Sequence, residues 1–404
     1  MADSKKLVMT NRRWFLQRAG ALAVACSAPA VAFPAGSAGE QKFRAAIIGH
    51  TGQGNYGHEH DTVFNLRENV TVVAVADPDE AGREKAAARC GALRQYADYR
   101  RMLEREKPDL VSIAPRWTDQ HHAMARAALE SGAHVYIEKP FTQTLAEADD
   151  LLALAGQKGL RIAVAHQMRL APNVIFLKRL LDQGRIGELL EIRSHGKQDR
   201  RAGGEDLIVL GVHIFDLMRF FAGDPYWCAA DILMDGRPVT LADAHPATEG
   251  IGPVIGNNIA AQFGFRGGIR STFVSHGANA EIAGPWGMEL VGAKGRVRVL
   301  LDIVPRVLVC AASPWTRDGR REEWKPLEND PLFAAPENER TVAYANARVI
   351  DDWLRAIREQ REPACSGYAG MKALEMAHAV FAAGLARGRV DLPLRRRAHP
   401  LRAG

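Results

Sequence analysis

Long apolar runs, paired cysteines and internal repeats are all missing from this chain of 404 residues. Beyond the first forty residues no stretch holds the ~18 uninterrupted apolar residues that a membrane-spanning helix requires, so no span is expected there. Cysteine is scarce. Cys90, Cys228, Cys310 and Cys365 stand far apart with no CxxC spacing, which argues against a disulfide framework or a zinc site and leaves buried free thiols as the plainer reading. The histidine pairs offer no metal site either. His58 and His60 beside Asp61, and His121 beside His122, have spacings that do not share a helical face. The net charge of +6 is concentrated at the ends, in Lys5, Lys6, Arg12, Arg13 and Arg18 and in Arg395, Arg396, Arg397 and Arg402. The body between them is close to neutral, so no nucleic-acid footprint is expected.

What is present is a globular composition, 47% hydrophobic and 25% charged, on a chain long enough for two domains. Residues 1–39 read as an export signal and linker. A basic opening is followed by a modest apolar stretch and small residues at Ala30-Val31-Ala32. Arg12-Arg13 followed by Phe15-Leu16 is a twin-arginine pattern, which implies the twin-arginine export machinery as a partner and a periplasmic or otherwise exported protein. An amphipathic terminal helix is the alternative. Cys26 offers a point for lipid attachment, but Ala23 stands where a branched residue is usual.

From residue 40 to 166 strand and helix patterns alternate: FRAAIIG, VTVVAVAD, PDEAGREKAAARCG, DLVSIAP, HHAMARAALESG, HVYIEKP, LAEADDLLALAGQKG and RIAVAHQ. Continuous apolar strands separated by helices of this length predict a parallel, doubly wound Rossmann sheet, and residues 55–68 are compatible with its first helix. From Gln167 the texture changes to longer strands such as NNIAAQFGF, IRSTFVSHG and GMELVGAKGRVRVLL, with Gly-rich hairpin turns. Residues 167–390 therefore read as a second α/β domain with a large, mainly antiparallel open sheet. Helices within 341–386 are able to pack back on the first domain, and 391–404 form a basic tail.

The first strand runs into GHTGQGNYG, in which Gly49, Gly52 and Gly54 let backbone approach a pyrophosphate at a helix N-terminus. Thr51 occupies the place where the middle glycine of such loops usually lies, and Gln53 completes the turn; a plain Gly-rich turn is the alternative. The second strand ends on Asp77, suited to binding a ribose 2′-hydroxyl and repelling a 2′-phosphate, which favours NAD over NADP. Asp77 can also cap the helix that begins after Pro78.

Taken together, GHTGQG, AVADPD, SIAP, HHAMARAALESGAHVYIEKP and GVHIFD resemble the Gfo/Idh/MocA oxidoreductase family over nearly the whole chain after the signal, and the twin-arginine pattern resembles its exported branch. The resemblance implies an N-terminal Rossmann domain for a nicotinamide cofactor and a larger domain that carries a carbohydrate substrate and packs subunits into a dimer or tetramer. It implies that Glu138 and Lys139 lie beside the nicotinamide and that Lys139 hydrogen-bonds the hydroxyl being oxidised. A lysine in a partly dry cleft has a lowered pKa and is suited to proton exchange. It places Pro115 and Trp117 at the adenine and ribose, Gln167 on the nicotinamide side, and Arg169 in a hinge beside the substrate. His213 becomes the general base with Asp216 as its orienter, the alternative being a satisfied core histidine.

One departure stands out. Many relatives carry an acid four residues before this histidine, and here that position is Val209. Lys197, Asp199 and Arg201 are candidates to meet sugar hydroxyls instead, unless they form a solvated loop. The expected function is an NAD-dependent oxidoreductase acting on a sugar, sugar derivative or polyol, with a tightly held cofactor. Two alternatives are kept: an NAD-assisted glycosidase or lyase working by transient oxidation, and a non-catalytic carbohydrate-binding protein of the same fold.

Overall fold

The structure, a computed structural model, describes residues 41–277, 286–312 and 323–402. Arg12, Arg13 and Cys26, with the rest of residues 1–39, lie outside the described residues. Five largely apolar segments and one short polar edge strand, β3, form one parallel sheet: β1 (Phe43–Ile48), β2 (Val70–Ala76), β3 (Arg94–Tyr96), β4 (Leu110–Ile113), β5 (His134–Ile137) and β6 (Ile162–Val164). Their spatial order is β3-β2-β1-β4-β5-β6. The order reverses between β1 and β4, so the crevice at the carboxyl ends of these two strands is where a doubly wound sheet binds its ligand.

Helices α1 (Glu80–Cys90), α2 (Tyr99–Glu106), α3 (His121–Glu130) and α4 (Leu145–Lys158) connect the strands. Local chemistry explains the clearest of them. Thr144 and Glu147 close a capping box at the start of α4, and Gly159 ends it in the left-handed conformation. The helix anticipated across 55–68 is not there. Asn55 pairs back with His50 across a short bridge and its side chain accepts from the Gly52 N–H (2.8 Å). Asn55, His58 and Glu59 all have positive φ (55°, 45° and 60°), which no α-helix tolerates. A single 3₁₀ turn at Gly57–Glu59 is all that forms.

Among the described residues the second sheet has ten strands. Its centre is Gly287–Gly292, Leu189–His195, Arg270–His276, Asn258–Gly264 and Trp227–Met234 in that spatial order. Its pairings are antiparallel except for the parallel match of Leu189–His195 with Arg270–His276. Helices α5 (Pro172–Asp182), α6 (Gly204–Val209) and α7 (Gly211–Ala222) accompany this sheet, α5 packing on the strand Arg306–Cys310 and α7 on the helix Gly367–Ala386.

The two late helices part company. Val342–Glu359 lays Val349, Ile350, Trp353 and Leu354 among Phe43, Ala45, Ile47 and Tyr136 of the Rossmann core. Gly367–Ala386 joins the larger core, with Leu374, Ala377 and Phe381 clustered beside Ile232 and Leu217, and its start packs on α4 and β6 of the first sheet. The closing segment is not a free basic tail: Arg397 pairs with Asp149 (2.6 Å) and Glu375 (2.6 Å), and His399 and Leu401 are buried. Cys90, Cys228, Cys310 and Cys365 are buried free thiols. Among the described residues no helix is long and apolar enough to cross a membrane.

Candidate active site

Two cavities line the crevice. The first sits over the ends of β1 and β2, about 220 Å³ in volume, between Gly49, His50, Asp77, Pro78, Tyr99 and Gln120. The glycines of the loop that borders it serve different ends. A Cβ on Gly49 would collide with the Tyr56 ring, and one on Gly54 (φ +92°) would stand 2.6 Å from the Trp117 amide nitrogen. Gly54 is therefore needed for close approach of the loop after β4. Gly52 (φ +85°) has open space where its side chain would be. Gln53 is exposed at the loop tip.

Asp77 lines this cavity. It is fully buried, and its carboxylate accepts from the Thr51 amide (3.0 Å), the Thr51 hydroxyl (2.8 Å) and the Asp79 amide (2.9 Å). These bonds fix the glycine loop, while the negative charge stays against the wall of the cavity. Thr51, in the place of a glycine, earns its position by this contact. Pro115 is buried with its carbonyl accepting from His121 Nε2 (2.7 Å), and Trp117 packs over Gly250.

The second cavity, about 190 Å³, lies between the two sheets and is lined by His58, Lys139, Gln167, Lys197, His213 and Trp286 among others. Lys139 follows β5 at its carboxyl end and is 5% exposed. Its Nζ donates to the Val209 carbonyl (3.1 Å), so the residue that replaces the expected acid still contacts the lysine, through its backbone. Burial lowers the Lys139 pKa from its ordinary value; Glu138 and Glu249 oppose the fall, and Arg201 and Arg116 add to it. Glu138 is fully buried. It accepts from the Lys139 amide (2.6 Å) and from His58 Nδ1. Burial alone would raise this carboxyl, but His58 and Lys139 hold it well below the usual range.

His213 projects from α7 into the same space, its ring 5.4 Å from His166 and 5.8 Å from Trp286. Burial, with Lys139, His166 and His58 nearby, pushes its pKa well below the ordinary value, so the imidazole is neutral at pH 7. Gln167 donates to Asn346 Oδ1 (2.8 Å) and so ties the cavity floor to the helix Val342–Glu359.

Three expectations are corrected here. Asp216 does not orient His213: it is 1% exposed, receives a bidentate pair from Arg169 (2.9 and 2.6 Å), and stands 3.9 Å from His166. Arg169 is correspondingly committed to Asp216 and unavailable to a substrate. Asp199 and Arg201 pair with each other (2.7 Å), and Arg201 also reaches Glu249 (3.5 Å). Of that trio only Lys197 lines the cavity.

The pair of Arg169 and Asp216 gives a stability prediction. Arg169→Met leaves a buried carboxylate without its partner and should cost about 3–5 kcal/mol in chemical denaturation. Burial raises the Asp216 carboxyl and Arg169 with His166 more than reverses it, so the folded pKa lies below the unfolded one. The pair's contribution is then complete above the unfolded pKa of about 4 and is lost as pH falls through the folded value. The variant's deficit should therefore shrink in acid; a deficit independent of pH would contradict this reading.

Two contributors escaped the sequence. In the sequence His58 enters only as a metal ligand that its spacing sets aside, and its left-handed backbone is what brings it to Glu138. Glu249 lies in an aperiodic stretch, held because Thr248 donates its amide to Glu205 (3.0 Å) and the Gly250 carbonyl accepts from the Thr118 amide (3.0 Å).

The description of an oxidoreductase family with an NAD-binding Rossmann fold matches residues 43–166, and that of its C-terminal α/β domain matches residues 178–392. The chain belongs to the Gfo/Idh/MocA oxidoreductase family. A D-apiose dehydrogenase from Paraburkholderia graminis is 25% identical over 84% of this chain and 87% of that enzyme. A levoglucosan dehydrogenase solved in complex with NADH and levoglucosan superposes with a TM-score of 0.71, at 19% identity over 88% of this chain and 100% of its own. A UDP-N-acetylglucosamine 3-dehydrogenase from Acidithiobacillus ferrooxidans gives a TM-score of 0.63, at 21% identity over 86% and 99% of the two chains. As a Gfo/Idh/MocA protein, this is an NAD-dependent oxidoreductase. Its residues fit that cofactor: the open flank of Gly52 and the cavity beside Asp77 and Tyr99 lie at the sheet's switch point, and Lys139 is poised at the end of β5.

Proposed function

We propose that the substrate is a sugar, a sugar derivative or a polyol, oxidised at one hydroxyl-bearing carbon. The observation that carries this is Lys139, an almost wholly buried ammonium that spends one N–H on the Val209 carbonyl and has the rest facing a cavity with His213, Lys197 and Gln167. Lys139 donates to the reacting hydroxyl oxygen and steadies the alkoxide character that develops there. Neutral His213 accepts from a substrate hydroxyl, Lys197 donates to another, and the Trp286 ring gives the sugar an apolar wall. The glycine loop with His50, Tyr99 and Gln120 holds the cofactor, and NAD when bound supplies the hydride acceptor. The names of the relatives, D-apiose and levoglucosan dehydrogenases, support a carbohydrate of this class.

The pattern of residues 1–39 extends the proposal to an exported, periplasmic enzyme delivered folded by the twin-arginine machinery. Free NAD is not recycled there, so the cofactor stays tightly held and is reoxidised in the same cycle by a second carbonyl compound. The uncovered face of the large sheet, where Ala229, Ala260, Thr272 and Val274 lie across neighbouring strands, supports homo-oligomers.

The test is a titration of the NAD-loaded protein with sugars, polyols and glycosides while the absorbance of reduced nicotinamide is followed. A stable reduced band with one class of sugar, cleared by a second carbonyl compound, is the expected result. Glycoside cleavage with only a transient band would transfer the reading to redox-neutral elimination.

A further inference from the structure

The loop that takes the place of the first Rossmann helix does more than close a turn. It turns His58 into the cavity of Lys139 and His213 and presses its Nδ1 against the buried Glu138 carboxylate. Several groups hold it there. The His58 backbone is left-handed (φ 45°), as is Glu59 after it, a conformation costly for residues other than glycine. The His58 carbonyl accepts from Asn346 Nδ2 (2.7 Å), and Asn346 Oδ1 in turn accepts from Tyr136 (3.1 Å) and Gln167 (2.8 Å). Gly57 is required for the approach: a Cβ there would stand 2.7 Å from Glu138 Oε1 and collide with Arg116. The loop is anchored again by the Gly57 amide, which donates to the Ala114 carbonyl (2.8 Å).

The two imidazoles of the cavity are not equivalent. His213 has a buried Nδ1 with no hydrogen-bond partner among the described residues, and Glu138 acts on it only from a distance, against burial and the neighbouring Lys139. His58 has Glu138 on Nδ1, while Nε2 has no partner among the described residues. The charged or titratable groups around it are Glu138 and Lys139 after β5, His60 on its own loop, His213 on α7, Lys197, and Asp302 at the cavity rim. A carboxylate behind one ring nitrogen fixes the tautomer, leaving the other nitrogen as the base, and stabilises the cation once the proton arrives.

We infer that His58, oriented by Glu138, is the proton-accepting catalytic residue of this site and fills the role left vacant by Val209. This rests on the proposed alcohol chemistry. In the oxidation direction the carbinol carbon gives up hydride with its electron pair to the bound cofactor, the hydroxyl proton passes to His58 Nε2, and the C–O bond becomes a carbonyl. Reduction returns both. Lys139 holds the oxygen throughout, and His213 stays neutral as an orienting acceptor. The strained loop is thereby the part of the chain that delivers the base.

The test compares wild type with His58→Gln and Glu138→Gln. In the unloaded protein, nitrogen-resolved NMR of the histidine rings should show one imidazole held in the Nδ1–H tautomer by a carboxylate, and Glu138→Gln should abolish that hydrogen-bond signature. In the loaded enzyme His58→Gln should lose about 10²–10⁴-fold in kcat/KM together with the basic group in its pH profile. NAD affinity by calorimetry should stay within a few-fold of wild type. His58→Gln at wild-type rate with an unaltered pH profile would overturn the inference. So would a loss of NAD affinity matching the loss of rate, which would make His58 a cofactor ligand. If no sugar or polyol reduces the wild-type cofactor, the substrate reading fails by itself, and the NMR result still decides whether Glu138 and His58 form a coupled pair.

Discussion

Lys139→Met is expected to lower turnover of the sugar by about 10²–10⁴-fold while NAD still binds. Methionine keeps the length and bulk of the buried stem and removes the ammonium alone. What disappears is the donor that faces the reacting oxygen, together with the bond to the Val209 carbonyl. Burial has already lowered the Lys139 pKa, so in the wild type the side chain exchanges a proton more readily than a surface lysine does. Glu138 keeps its contacts with His58 and with the residue-139 amide, so the substitution leaves that carboxylate hydrogen-bonded. Steady-state kinetics beside a cofactor titration separates the outcomes. A fall in kcat at unchanged NAD affinity is the expected result, and a variant that turns over normally would show that Lys139 only braces the fold.

A steep loss of stability between about pH 6.5 and pH 4 is the second large effect. His60, His166 and His399 are buried to 2% exposure or less, and burial pulls each from 6.5 to about 4. His213 and His378 are pushed down further, again mainly by burial. A depressed folded pKa means that the native state binds fewer protons than the unfolded chain between the two values. Stability is therefore complete above the unfolded pKa and is lost as pH falls through the folded one. At about 1.36 kcal/mol per unit, His60 alone contributes about 3 kcal/mol, a large share of the 5–15 kcal/mol that ordinarily separates folded from unfolded. His60 stacks on Tyr136 at 4.6 Å with both ring nitrogens lacking hydrogen-bond partners among the described residues, so His60→Phe keeps the stack and removes the proton site. Thermal unfolding across this range should show a shallower acid decline for the variant, and superimposable curves would contradict the attribution.

Much of the fold was legible because it follows from period and run length. Continuous apolar strands such as Val70–Ala76 had to be buried on both faces, and helices of about the right length lay between them. The alternation of Asn258–Gly264 and Arg270–His276 marked a sheet with one face covered. Sequence could not show that His58 would take left-handed backbone; contacts with Asn346 and Glu138, far along the chain, hold it there, whereas Asn55 is held locally by His50 and Gly52. Asp77 had a second partner that position alone did not show: the very Thr51 that broke the glycine pattern.

The site divides along the same line. Glu138 and Lys139 were legible through the family resemblance, since charges at the end of an apolar strand read, by themselves, as an ordinary ion pair; both are buried beside the cavity. Arg169 and Asp216 looked like open polar groups, yet 47 residues apart they satisfy each other. Glu249 had no sequence signal at all, since it reaches the site on a loop whose course is set by Glu205 and Thr118.

The measurement closest to the central claim is isotopic. The NAD-loaded protein is given a sugar that reduces its cofactor, labelled with deuterium at the carbon undergoing oxidation, and the nicotinamide is recovered for mass spectrometry. Direct hydride transfer predicts one deuterium in the reduced cofactor. Reduced cofactor without the label, or sugar consumed with the cofactor never reduced, would contradict it.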